Sequence, residues 1–157
     1  MNNSKAHEFY KQWKITIWWI NETLKTLSDD DLKKEISPGR NHGVWILGHL
    51  IQSEDELSKY LGEGDFMFPE NDKLFGQKKK ADPVSSYPDV QVLRKQWEEV
   101  TAKNDRILSK LTDEQWDEPH VLINGPIEED YFKTKGGCIM NWILHQTYHI
   151  GQLVLLR

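Results

Sequence analysis

The chain has a single cysteine, Cys138, so no internal disulfide can form, and a reducing compartment fits that usage. It has no apolar run approaching the length of a membrane span, and its first residues carry no signal-peptide pattern. A soluble, cytoplasmic protein without a membrane partner is the expectation. An excess of positive charge is also lacking: 20 lysines and arginines are spread along the chain against 25 acidic residues, for a net charge of −5. A nucleic-acid partner would need a basic face, so none is expected. The one basic run, Lys78-Lys79-Lys80, sits in a polar stretch and reads as solvated. Strong strand signals, internal repeats and low-complexity tracts are absent. No Ser-His-Asp grouping, glycine-rich phosphate loop or paired-carboxylate spacing stands out, which removes the commonest sequence signatures of hydrolases and phosphate binders.

What remains is helical periodicity. At 157 residues the chain is long enough to bury a real core, and a single domain over 1–157 is expected. Seven tryptophans suggest large aromatic walls to the core or to a pocket. Phe9, Trp13, Ile17, Ile20, Leu24 and Leu27 recur at three- and four-residue steps and predict a first helix over about 4–27 capped by Ser4. Ser28 and the three aspartates after it read as a stop with a possible helical turn. Asn41 is a good cap for a second long helix that ends at Gly62. The stretch 62–87 reads as irregular, and a connection that long implies a crossover between helices running in the same direction, or a lid. A third helix starts at Pro88-Asp89, its seam of Val90, Leu93, Trp97, Val100, Ile107 and Leu111 interrupted by one polar residue, Asn104. Residues 112–135 are mixed, with a short strand or turn pair expected around 120–125. The last helix follows Gly136-Gly137, is apolar on nearly all sides and is expected to be the most buried. Four long helices make an all-α, four-helix bundle the natural packing.

Three histidines fall inside these helices. His145 and His149 are spaced i, i+4, so a helix projects both imidazoles from one face, one turn apart. On a helical wheel Cys138, Trp142, His149, Gln152 and Leu156 lie within about 60° of His145, so the pair sits in an apolar stripe. His49 shares one side of the second helix with Trp45, Ser53, Glu56 and Tyr60. A single buried histidine is usually satisfied by a carbonyl or hydroxyl and is structural. Three on inward faces are costly to leave unpaired, and a divalent cation takes their lone pairs together while leaving coordination positions open. Both readings stand at this point. The pair is not a His-Glu-x-x-His motif, because residue 146 is glutamine. His7, His42 and His120 lie near element ends and read as solvent-facing, with His42 a candidate for the mouth of a site. Cys138 lies two turns from His145, about 10 Å away, and reads as a buried structural thiol. Glu56 reads as a partly exposed surface carboxylate, and Trp45 and Trp142 as core.

The segments Asn41-His-Gly-Val-Trp-Ile-Leu-Gly-His-Leu-Ile and His145-Gln-Thr-Tyr-His149-Ile-Gly-Gln-Leu resemble the DinB/YfiT-like superfamily of small metalloenzymes. In that family a W-x-L-x-H-L-like segment on the second helix supplies one histidine and an H-x-x-x-H-x-G-Q-L-like segment on the last helix supplies two. The matching positions are His49, His145 and His149, and the order of elements agrees over nearly the whole chain. Ile150 stands where many members carry arginine, a change beside the pair and not at a ligand. The resemblance implies an up-down-down-up bundle with a long crossover between helices 2 and 3, usually a homodimer. It also implies a divalent metal, zinc or nickel, held by the three histidines. Some relatives are thiol-dependent S-transferases or isomerases. The expected function is therefore metal-dependent transfer of a low-molecular-weight thiol to a small electrophile, with no residue assigned as general base. A metal-dependent hydrolase, or a non-catalytic metal-binding bundle, is the alternative.

Overall fold

The computed structural model describes residues 4–76, 80–121 and 132–157. Four long helices dominate it: α1 (Lys5–Thr26), α3 (Gly43–Tyr60), α5 (Val90–Leu108) and α7 (Lys135–Leu153). Short helices α2 (Asp29–Leu32), α4 (Asn71–Phe75) and α6 (Asp113–Asp117) lie in the connections. The described residues contain no strand, only isolated antiparallel bridges such as Pro119 with Thr134, so the fold is all-α.

Local chemistry explains most boundaries. Ser4, Asp89 and Thr134 cap α1, α5 and α7 by accepting backbone N–H bonds that the first helical turn leaves open. Ser28 and Asp31 form a reciprocal capping box, which turns the acidic stretch after α1 into a helix rather than a plain stop. Gly62, at φ 76°, takes the left-handed conformation that ends α3. One boundary differs from expectation: α3 is capped by His42 and not Asn41. The His42 Nδ1 accepts the Trp45 N–H at 3.1 Å, while the Asn41 side chain turns away to accept the Ala81 N–H.

α3 is the central element. It packs on both α5 and α7, while α1 lies against α7. Every residue from 43 to 58 is buried. The expectation that the last helix would be the most buried is therefore wrong. α7 carries Leu144 and Tyr148 at 68% and 63% exposure on an outer face, because it has packing partners on fewer sides than α3. Trp13, Ile20, Leu47, Leu50, Leu93 and Ile139 form the centre of one continuous core.

The long 62–87 connection is less irregular than its composition implies. Asp55, buried in α3, accepts the backbone N–H groups of Met67 and Phe68 and pairs with Lys103. That fixes the start of the crossover. α4 then presses Phe75 onto α3 at Gly48, where no side chain intervenes. His42 Nε2–H donates to the Asp82 carbonyl at 3.0 Å and so ties the far end of the crossover back to the start of α3. The expected strand or turn pair at 120–125 falls largely outside the described residues, as do Lys78 and Lys79; Lys80 is exposed.

Candidate metal centre

His49 comes from the middle of α3, and His145 and His149 from successive turns of α7. Packing of α3 on α7 brings the three rings together. The Nε2 atoms of His49 and His145 lie 3.1 Å apart, and those of His145 and His149 lie 3.0 Å apart. Imidazole–metal bonds of about 2.1 Å in the tetrahedral arrangement usual for zinc would separate two donor atoms by about 3.4 Å, so the pairs need open by only a few tenths of an ångström to take an ion. The ring planes meet nearly edge to face, at 75° to 86°. All three ligand atoms fall within 4.8 Å of one another, and no other group of three such residues does so among the described residues.

Two of the rings are held from behind. His49 Nδ1–H donates to the Phe75 carbonyl at 2.8 Å, and His149 Nδ1–H donates to the Gln152 side-chain oxygen at 2.7 Å. Each bond places the proton on Nδ1 and leaves the Nε2 lone pair facing the centre. Trp45 stacks on His49 with centroids 4.8 Å apart, closing one side. Burial is the main reason the rings stay neutral. It pushes His49 below its usual value. Burial together with the neighbouring imidazoles pushes His145 down to about 3 and His149 to about 4. The Nε2 lone pairs of His49 and His149 therefore both face His145 Nε2, whose single proton can satisfy only one of them, whereas a bound cation takes the lone pairs of all three rings together. The donor set fits a divalent ion.

Other histidines do something else. His42 and His120 are buried, contrary to the expectation that they face solvent, and neither reaches the centre. His42 staples the crossover, and His120 packs edge-on against Tyr60 and bonds the Val121 carbonyl. His7 is exposed. Cys138 is buried, and desolvation pushes its thiol up to about 12, so it is an inert core group.

Sequence reasoning places Glu56 at the surface and passes over its neighbours, yet the whole acidic run Glu54-Asp55-Glu56 is buried. Glu54 accepts bonds from the Asn104 and Gln146 amides, and its complete desolvation raises it to about 7. Glu56, expected at the surface, is buried beside the histidines. Burial raises it to about 6, with Gln52 its hydrogen-bond partner. Asn104 interrupting the apolar α5 seam, and Gln146 on the buried side of α7, were the two signals that a buried acid faced them. Trp45 and Trp142 are core residues as expected, and both also wall the histidine region: Trp142 Nε1–H donates to the Ser53 carbonyl at 2.6 Å, alongside the site.

These features define an all-α protein whose core presents three neutral imidazoles able to hold a metal ion. The chain belongs to the DinB superfamily, whose family model matches residues 13–153. It is similar in structure to a conserved protein from Enterococcus faecalis, with a TM-score of 0.68 at 15% identity over 98% of this chain and 95% of that one. At that identity the likeness speaks for the fold alone. No functionally curated protein matches the chain. No helix among the described residues is long and apolar enough to cross a membrane.

Proposed function

We propose that the protein is a metal-dependent enzyme that transfers a low-molecular-weight thiol to a small electrophile. His49, His145 and His149 are the ligands of one divalent ion, zinc or nickel. The observation that carries this reading is the convergence of the three Nε2 atoms, two of them aimed inward by hydrogen bonds from Nδ1 to Phe75 and Gln152. Three imidazoles leave coordination positions free, unlike closed structural sites. When bound, the ion supplies Lewis acidity that brings a thiol's pKa toward neutrality. The chain's own residues do the rest. Phe75 and Gln152 fix the tautomers, Trp45 shields His49 from water, and the half-buried face of His145 is the side from which small molecules enter. The electrophile would lie under the 62–87 crossover.

In this reading α1, α3, α5 and α7 form an up-down-down-up four-helix bundle in one domain spanning 1–157, working in the cytoplasm. It works as a homodimer. α1 and α7 pack on each other, and both leave large apolar side chains outside: Ile15, Trp18 and Trp19 on α1, Leu144 and Tyr148 on α7. Patches of this kind mark interfaces, and light scattering should give twice the chain mass.

The functional test is a screen of thiol and electrophile pairs with metal-loaded protein, beside alanine variants of each histidine. Turnover that needs added thiol, and that disappears together with the metal in each variant, supports the reading. Hydrolysis of activated esters or amides without thiol would instead identify a hydrolase. Tight metal binding with no turnover of either kind would mark a non-catalytic metal-binding bundle.

A further inference from the structure

Ser53, Glu56, Asn141, Trp142 and His145 line a cavity of about 50 Å³ that touches the histidine cluster through His145. Three larger clefts, of 280 to 350 Å³, contain none of the clustered histidines. The small one has space for on the order of three water-sized groups, enough for a short substituent and too little for a whole sugar or peptide. Its walls are uneven in chemistry. Trp142 gives an aromatic face, Ser53 and Asn141 give polar atoms, and Glu56 gives a carboxyl that is only 6% exposed. Asn141 and His145 are the two partly exposed members and so form the mouth.

Glu56 is left in an unusual state. Gln52 is its hydrogen-bond partner, and the charged groups acting on it are Asp72 and Asp55, both acidic. Asp55 already pairs with Lys103. No lysine or arginine among the described residues forms an ion pair with Glu56. A buried carboxyl with no cationic partner is costly to keep charged, and this one lines open space beside a metal-ligating ring. Buried carboxylates elsewhere in this protein are answered: Glu54 by two amides, Asp55 by two backbone N–H groups and a lysine.

We propose that this cavity seats a primary ammonium group of the molecule that binds at the histidine centre, with Glu56 as its counter-ion and Ser53 and Asn141 as hydrogen-bond acceptors. The co-substrate is then an aminothiol whose nitrogen lies a few bonds from sulfur. The ammonium enters between Asn141 and His145, lies over the face of Trp142 and places the sulfur toward the Nε2 cluster. This assignment rests on the thiol-transfer reading above and narrows it to one class of thiol.

The test uses the full-length protein loaded with cobalt(II), titrated with 2-aminoethanethiol, 2-mercaptoethanol and 3-mercaptopropionate and read by the sulfur-to-cobalt charge-transfer absorption. The three thiols differ in their own acidity, so the quantity compared is the ratio of their affinities in wild type against the same ratio in Glu56→Gln. A charge-assisted contact of this kind predicts that the preference for the ammonium thiol over the neutral one falls by about tenfold or more in the variant. Affinity for 3-mercaptopropionate rises in the same variant. Cobalt content stays at the wild-type level. Asn141→Asp, at the half-exposed mouth, adds a second carboxylate and increases the ammonium preference. Thiol binding with the same affinity ratios in wild type and both variants overturns the cavity assignment while leaving thiol binding intact. Loss of cobalt in Glu56→Gln overturns it by making Glu56 a metal ligand. A cobalt spectrum that no thiol perturbs removes the thiol-transfer reading itself, and this proposal with it.

Discussion

Replacing Gly48 with alanine should damage stability and the histidine centre together. A Cβ at residue 48 would sit 2.1 to 2.4 Å from three atoms of the Phe75 ring. Carbon atoms in contact need about 3.5 Å or more, so the ring must move by more than 1 Å. It has little room: Phe75 is fully buried and stacked on Tyr87 with centroids 5.1 Å apart. Overpacking of this severity costs about 3 kcal/mol, which for a chain of this size lowers Tm by roughly 6–12 °C. The same shift carries away the Phe75 carbonyl that accepts from His49 Nδ1 at 2.8 Å. Losing such an outer-shell bond typically costs about 10–100-fold in metal affinity. Thermal unfolding of the metal-free protein measures the first effect, and competition with a chromophoric chelator measures the second. Phe75→Ala alone should cost about 3–5 kcal/mol. Because it removes the clashing ring, the Gly48→Ala, Phe75→Ala double variant should be scarcely less stable than Phe75→Ala. Additive losses in the double variant, or a Gly48→Ala protein with wild-type Tm, would refute the close approach of α4 to α3.

Two further outcomes concern pH. His145 and His149 have folded-state values of about 3 and 4 against 6.5 for an ordinary histidine. The unfolded chain therefore binds protons first as pH falls, and the metal-free protein should lose stability from about pH 6.5 down toward 4. Urea midpoints at pH 7 and pH 5 in the presence of chelator measure this, and equal midpoints would contradict the burial of the pair. Glu54 works in the opposite sense. Its folded value of about 7 lies above the ordinary 4.5, so its contribution is fully present below pH 4.5 and is lost as pH rises through 7. Glu54→Gln removes that loss, and the Gln146 side-chain oxygen, otherwise without a partner, is available to accept the new amide. The stability of Glu54→Gln relative to wild type should rise between pH 5 and pH 8 by on the order of 3 kcal/mol; a difference independent of pH would show that Glu54 titrates normally.

Much of the scaffold was legible because helical periodicity is a local signal. The steps linking Phe9 to Leu27 and Val90 to Leu111 locate α1 and α5 to within a few residues, and Ser4 and Asp89 cap where their chemistry suggests. The i, i+4 spacing of His145 and His149 likewise fixes their common face without tertiary information. What escaped was contributed by residues far apart in sequence. The Phe75 carbonyl that orients His49 comes from a connection without periodicity, and a backbone oxygen leaves no trace in residue identity. Glu56 reads as surface because carboxylates are seldom buried, and nothing local marks Glu54 and Asp55 as buried; only the placement of Asn104 and Gln146 opposite Glu54, and of the 67–68 backbone opposite Asp55, makes the burial of those two tolerable. His42 was misjudged for a related reason. Its ring caps α3 and holds the crossover at once, a double role visible only after the chain has returned past residue 82.

The most direct measurement is metal content by plasma mass spectrometry, on protein purified without a histidine tag, for wild type beside His145→Ala. About one equivalent of zinc or nickel per chain, lost in the variant while the fold is retained, is the expected result. Protein that takes up no metal even after reconstitution, or a variant that keeps its full equivalent, would contradict the assignment of His49, His145 and His149 as a metal centre.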